Sequence, residues 1–416
     1  MSDNDRGMAG AATKNSAAGR PRLGFFHRRF GRWIALSQYG FPFSIGPYPT
    51  PVSRLRALAR RSRGAGRRLR FFANIAMTLG WPLGAFSAAL RTQSQMRARG
   101  HASHGADVLF DMYWLALRYS IPPLEYALYR FYDPARRAAM HQYVYWNDGP
   151  GFAALNRRCG ADNRDVQDKD RFAEICAAHG FAHVPTLALF AGGQQVFPAG
   201  SFVQEAPVLW VKALRLSGGA GGAKWTRDGD DYCDKDGRRV TSAKLAEELR
   251  KQDCLLQPFV ENHPEIARVS NGALAAVRIV TGMNEEGKAE FVTAQIGLPH
   301  GPWTTSVASI MGSIDAATGC ICRAAMPDNS SVTHHPDTGV EILGLSLPFW
   351  QESLALVLRA HEKAFPRFVT LGWDVALTPE GPVLLETNSG WGAMYHQMLD
   401  GPLGDTAFSC IVGSHV

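Results

Sequence analysis

With 416 residues, 46% of them hydrophobic and 19% charged, the chain has ordinary globular composition and the length for roughly two or three domains, which excludes a largely disordered protein. Its seven cysteines, at 159, 176, 233, 254, 320, 322 and 410, are scattered, and the close pair Cys320 and Cys322 lacks both CxxC spacing and a second pair. A structural zinc site is therefore excluded, and free thiols in a reducing cytosol are expected. The net charge of +7 is unevenly placed, because residues 1 to 70 hold 15 Lys/Arg against Asp3 and Asp5, leaving the remainder mildly acidic.

Residues 1 to about 20 read as a flexible tail without the apolar run of a secretory signal. Residues 21–50 set Phe25, Phe26, Phe30, Trp33, Ile34 and Leu36 beside Arg22, Arg28, Arg29 and Arg32, the composition of an interfacial element. A basic arm on an acidic body attracts anionic surfaces. A membrane surface is favoured over a solubilising or assembly face, and nucleic acid comes last because no helix-turn-helix, zinc-finger or aromatic RNA-platform pattern accompanies the charge. Residues 71–90 carry no charge and are flanked by Arg67, Arg68, Arg70 and Arg91. Gly80, Pro82 and Gly84 interrupt this stretch, which predicts a buried helix pair or a monotopic patch in preference to a bilayer span. Residues 1–105 thus read as a basic, partly flexible N-terminal arm.

From Asp107 to about Ala161 the pattern is helical. Leu109, Tyr113, Ala116 and Leu117 form one stripe, and Tyr126, Tyr129, Phe131 and Tyr132 begin another after Ile121-Pro122-Pro123. A small helical domain over 106–165 is expected. Beyond Gln167 strand-like and helix-like segments alternate, the signature of a mixed α/β (α+β) body.

A helix is expected from Asp168 to His179, placing Lys169 at its start, with Gly180 as its stop. The strand Val208–Leu214 embeds Lys212 among apolar neighbours and runs into Ser217-Gly218-Gly219-Ala220-Gly221-Gly222-Ala223-Lys224. Four glycines let backbone N–H groups approach polyphosphate oxygens, because no Cβ obstructs them. Lys212 precedes the glycines and the spacing GxxxxGK[ST] is missing, so a P-loop fold is disfavoured. Cys254–Glu261 is an apolar strand whose Pro258 removes one ladder donor, which suits a hinge that bonds an adenine edge. Leu274–Thr281 is a further strand with Arg278 at its centre; taken alone, Arg278 is as well explained by a surface salt bridge.

Near the C-terminus two apolar strands flank a Pro/Gly turn. Asp374 lies within the first, while Glu386 and Asn388 lie two apart on the second and share a face. An unpaired carboxylate in an apolar run is costly, so these acids are expected to carry a partner or an ion and not to be exposed turn residues. Three hard oxygen donors on adjacent strands suit Mg²⁺ with nucleotide phosphates, which implies an ATP-using enzyme.

In their order these parts resemble the ATP-grasp superfamily, and more narrowly its sugar-transfer-associated subgroup, related to α-L-glutamate ligase-like proteins. The likeness covers about residues 107 to 400. It rests on Asp168-Lys169-x-Arg171-Phe172, Arg278-Ile279-Val280-Thr281, His335-Pro336-x-Thr338-Gly339, and Gly372-Trp373-Asp374-Val375-Ala376 followed by Leu385-Glu386-x-Asn388. The resemblance implies a two-lobed catalytic body over 166–405 that uses ATP and Mg²⁺. Lys169 and Lys212 would hold phosphates, and Gly218, Gly219, Gly221 and Gly222 would close over them. Gln257, Phe259 and Val260 would line the adenine slot, with Glu265 at the ribose. Asp374, Glu386 and Asn388 would hold the metal, and Arg278 would steady the transferring phosphoryl group. The implied activity is a carboxylate–amine ligation through an acylphosphate, on a sugar, a surface-polysaccharide precursor or an amino acid. A kinase-like phosphotransfer and a membrane-apposed ATP-binding assembly protein are the competing readings. His335 and His396 are the candidate proton acceptors, and Trp391 and Tyr395 candidate pocket walls. A cytoplasmic location, peripheral at the inner membrane face, is expected.

Overall fold

The structure, a computed structural model, describes residues 50–61, 67–98, 105–197, 206–214, 222–301 and 309–416. Most of the basic arm, including the aromatic element expected at 21–50, lies outside the described residues, as do Gly218, Gly219 and Gly221.

The N-terminal part is helical: α1 (Pro51–Arg61), α2 (Arg67–Ala98), α3 (Ala106–Tyr119), α4 (Gly149–Arg158) and α5 (Lys169–Ala178). Two sheets follow. The first has seven strands, β1 (Ala188–Ala191), β2 (Gln194–Phe197), β3 (Val208–Ala213), β4 (Ala223–Asp228), β5 (Asp231–Asp234), β6 (Arg239–Thr241) and β7 (Cys254–Pro258), in the order β2-β1-β7-β3-β4-β5-β6 with α6 (Ser242–Leu249) against one face. The second has β8 (Ala276–Met283), β9 (Ala289–Leu298), β10 (Ile310–Ile314), β11 (Ile321–Ala325), β12 (Thr370–Thr378) and β13 (Gly381–Asn388), in the order β11-β10-β9-β8-β12-β13. Helices α7 (Trp350–Ala364), α8 (Ala393–Asp400) and α9 (Ala407–His415) complete it. Adjacent strands are antiparallel in both sheets, so the mixed body is of the α+β kind.

Period-two alternation decides what each face of the second sheet meets. Val277 and Ile279 of β8 and Trp373 and Val375 of β12 point to α7, whose Leu356, Val357 and Ala360 recur at helical spacing and complete the largest core. His361 of α7 closes that core: its Nδ1 meets Thr281 Oγ1 at 2.7 Å, and Thr281 accepts from Trp373 Nε1 at 2.8 Å. On the opposite face Val280 packs with Trp391, Phe408 and Ile411 and with Val52 and Leu55 of α1, which draws the N-terminal helices onto the sheet.

Two expectations change. Gly80, Pro82 and Gly84 do not divide 71–90 into a helix pair, since α2 runs through all three. Among the described residues no helix is long and apolar enough to cross a membrane. In α3 the buried stripe is Val108, Met112, Leu115 and Ala116, displaced from the expected one; Tyr113 and Leu117 pack more loosely, against Trp81 and Ala85 of α2.

A buried ion pair ties α1 to the helical region. Arg56 donates two bonds to Asp148 at 2.9 Å and a third to the Tyr143 carbonyl, leaving neither charge unmatched. Beside it Glu125 accepts from Trp146 N–H and the Tyr129 hydroxyl. Burial pushes its carboxyl up from the ordinary 4.5 to about 8. The folded chain keeps a proton there that the unfolded chain has lost, so this stabilising contribution is complete at acid pH and disappears as pH rises towards 8. In denaturant unfolding, Glu125→Gln should therefore gain on the wild type between about pH 5 and 8, by at most about 1.4 kcal/mol per pH unit. A difference that stays constant over that range contradicts the assignment.

Candidate functional site

The alternation of β3 sends Leu209 and Val211 into the core beneath α6 and leaves Trp210 and Lys212 on the opposite face. Antiparallel register sets Trp210 between Gln257 of β7 and Lys224 of β4. Phe259 continues this wall, with its ring centroid 6.2 Å from that of Trp210 and Lys224 Nζ 4.2 Å above it. A Cβ at Gly222 would collide with the Trp210 indole, so only glycine lets the backbone lie against that ring. The result is an aromatic slot rimmed by a cation.

The second sheet supplies the opposing wall. Asp374 of β12 stands directly opposite Arg278 of β8 on one side and Glu386 of β13 on the other. Directly opposed side chains share a face and lie within contact distance. Arg278 grips both Asp374 oxygens through Nε and Nη2, the latter at 2.8 Å. Asn388 is opposite Gly372, which cannot carry a side chain because Trp391 packs over it.

Between the walls lies a cavity of about 1080 Å³, lined by Lys169, Trp210, Lys212, Gly222, Lys224, Gln257, Phe259 and Val260 on one side and by Asp374, Glu386 and Asn388 on the other. It is bridged by Lys212 Nζ and Glu386 Oε2, 2.8 Å apart and 174 residues apart in sequence. Lys169, at the first position of α5, donates to the Ala213 carbonyl at 3.0 Å, one residue beyond Lys212. Burial, then the neighbouring Lys212, lowers the Lys169 ammonium pKa, while Glu386 raises it. Burial lifts the Asp374 carboxyl, with Arg278 opposing. At Glu386 burial also raises the pKa, but Lys212, Lys169 and Arg278 together outweigh it and hold the carboxyl down. The carboxylates of Asp374 and Glu386 and the cations of Lys169, Lys212 and Arg278 thus lie within electrostatic reach of one another.

The structure gathers Lys169, Lys212, Gly222, Gln257, Phe259, Val260, Asp374, Glu386 and Asn388 around this cavity, with Arg278 paired to Asp374 from the neighbouring strand. Glu265, expected at the ribose, does not line the cavity: it sits on the short helix after the hinge and is paired with Arg268 at 2.8 Å on the exposed surface. The two histidines also change role. His335 is fully buried, with Nε2 at 3.0 Å from the Pro299 carbonyl and Nδ1 taking the Asp337 N–H, so it locks a turn. His396 is buried 3.2 Å from Thr293 Oγ1, and burial followed by the Arg278 charge lowers it to about 3, unsuited to accepting a proton near neutrality. Trp391 packs with Phe152 and Phe408 in the core.

Trp210 and Lys224 were not singled out from sequence. The signal for Trp210 was there, since a residue two before Lys212 on a strand must share its face. Lys224 required the β3–β4 register.

Residues 153–403, more than half of the chain, match the family model described as sugar-transfer associated ATP-grasp. The chain belongs to this family. All the described cavity residues named above fall within the matched span. No curated protein matches the chain by sequence. Solved structures similar to it include N5-carboxyaminoimidazole synthetase from Staphylococcus aureus complexed with ADP, at 11% identity over 63% of this chain and 58% of that one, TM-score 0.38. D-alanine–D-alanine ligase from Bacillus anthracis complexed with ATP matches at 13% identity over 59% and 64%, TM-score 0.31. An L-amino acid ligase from Bacillus licheniformis matches at 11% over 56% and 42%, TM-score 0.31. The ATP-grasp chain spans less than two thirds of the length of each of these structures.

In an ATP-grasp cleft the Trp210–Phe259 slot is the surface a purine ring can stack on. Trp210→Ala, folded by circular dichroism, should weaken ADP binding about tenfold in calorimetric titration. An unaltered affinity would place the base elsewhere.

Proposed function

We propose that the protein is an ATP-dependent ligase that joins a carboxylate to an amine by way of an acylphosphate, the acceptor being a sugar or surface-polysaccharide precursor or an amino acid. One observation carries this reading: the Lys212–Glu386 pair spans the cavity next to Arg278–Asp374, so anion-binding and cation-binding groups alternate where a metal-bound triphosphate would lie. Membership of a sugar-transfer associated family supports the sugar-bearing acceptor.

Among the described residues no three His, Cys, Asp or Glu side chains come together, which disfavours an all-protein metal cage. Two carboxylates and the Asn388 amide instead suit an ion that completes its shell with water and phosphate oxygens. Asp374, Glu386 and Asn388 would hold it. When bound, Mg²⁺ supplies charge neutralisation at the phosphates.

The chain's own residues do the rest. Trp210, Phe259 and Gln257 orient the base. Lys169 and Lys212 hold phosphate oxygens, Lys212 exchanging its Glu386 partner for the nucleotide. Arg278, fixed by its two bonds to Asp374, presents the remainder of its guanidinium to the charge that builds on the transferring group. Such positioning and electrostatic stabilisation suffice for phosphoryl transfer without a covalent nucleophile on the protein.

With ATP, Mg²⁺ and a panel of amino acids and uronic acids, mass spectrometry should find an amide formed in step with orthophosphate. Asp374→Asn and Arg278→Met should each lower kcat by about a hundredfold or more. A phosphorylated hydroxyl appearing with ADP would replace ligation by phosphotransfer.

A further inference from the structure

α2 and α3 lie side by side and bury the faces they turn to each other and to the body. On α2 these are Trp81, Ala85, Ala89 and Met96, and on α3 Val108, Met112, Leu115 and Ala116. The opposite faces are also apolar. Leu83, Phe86 and Leu90 follow one another at helical spacing on α2 and are 75%, 36% and 43% exposed, while Phe110 and Trp114, one turn apart on α3, are 61% and 58% exposed. The edge-on contact of Phe86 with Tyr113, with centroids 5.3 Å apart, joins the two rows into one surface. Five large apolar side chains on adjacent helices form a contiguous patch of the kind that marks an interaction site, unlike scattered exposed leucines.

Charge identifies the occupant. α2 has no acidic residue in its 32 positions, and its exposed Arg91 and Arg97 lie beside the apolar row. The chain leading into it, residues 1 to 66, holds 12 Lys/Arg against two acids. α3 carries Asp107 and Asp111, the latter paired with Arg137 at 2.6 Å. A second copy docked on this patch would bring one cationic helix against another. A sheet of anionic headgroups over hydrocarbon complements both features, and aromatic residues with arginine alongside suit that boundary.

We infer that the α2–α3 face docks on an anionic phospholipid surface through Leu83, Phe86, Leu90, Phe110 and Trp114. The helices lie in the plane of the interface, since neither is apolar enough to span it. This docking is independent of the ligase reading, because none of these residues lines the cavity.

Flotation of the full-length protein with vesicles of phosphatidylcholine alone and of phosphatidylcholine mixed with phosphatidylglycerol tests it, comparing the wild type with Phe86→Glu/Trp114→Glu. The wild type should float with the anionic vesicles and barely with the neutral ones. The double variant, folded by circular dichroism, should lose about tenfold or more of that partitioning. Full binding by the variant would assign the contact to the basic arm and overturn the inference. Failure of the wild type to bind would overturn it too, as would a concentration-dependent dimer in lipid-free size exclusion that the same substitutions abolish. If adhesion is the patch's role, ATP turnover in solution is the same for both proteins.

Discussion

Cross-strand register is the constraint on which everything else rests. A row of polar side chains runs across one face of the second sheet: Glu386, Asp374, Arg278, Gln295, Ser313 and Arg323 stand opposite one another from β13 to β11. A slip of one residue at β8 or β12 would turn Arg278 or Asp374 into the α7 core and bring Ile279 or Trp373 out. That core forbids it, since the buried neighbours of the charged residues fill it. The same hydrophobic packing that stabilises the sheet therefore fixes the charges at the cavity wall.

The row is polar along its whole length for different local reasons. At the cavity end its charges are paired across strands and across the cleft. At the far end Ser313 bonds Asp400 and Arg323 bonds the Leu399 carbonyl, which holds α8 on the sheet. Between them Gln295 Oε1 and His396 Nε2 are buried without a hydrogen-bond partner in the described structure, beside the Arg278 charge. In the proposed reading a nucleotide with its metal would leave no charge stranded at the cavity, because Glu386 would hold a divalent ion in place of an ammonium and Lys212 a phosphate in place of a carboxylate. Removing one member of a partly buried pair without replacement is costly, whereas such an exchange keeps each group compensated.

Much of this was legible in the residues. Acids inside apolar runs had to be matched, and Asp374 and Glu386 are, by Arg278 and Lys212. The period of two placed Glu386 with Asn388, and the antiparallel strands around the Pro/Gly turn followed from composition. Three kinds of information were not there. The pairing of Lys212 with Glu386 depends on how two sheets face each other, which no local pattern encodes. Glu265 follows a proline in a polar stretch, and nothing local separates a ribose contact from the surface pair it makes with Arg268. Pro82 looked like a break, yet α2 continues past it because its loss of one backbone donor is outweighed by the packing of Trp81, Ala85 and Ala89.

The most direct measurement of the central claim is a crystal structure with Mg²⁺ and a non-hydrolysable ATP analogue. The base should lie against Trp210, the Glu386 carboxylate on the metal, and Lys212 should have moved from Glu386 to a phosphate. A nucleotide bound outside this cavity, with the Lys212–Glu386 pair intact, would contradict it.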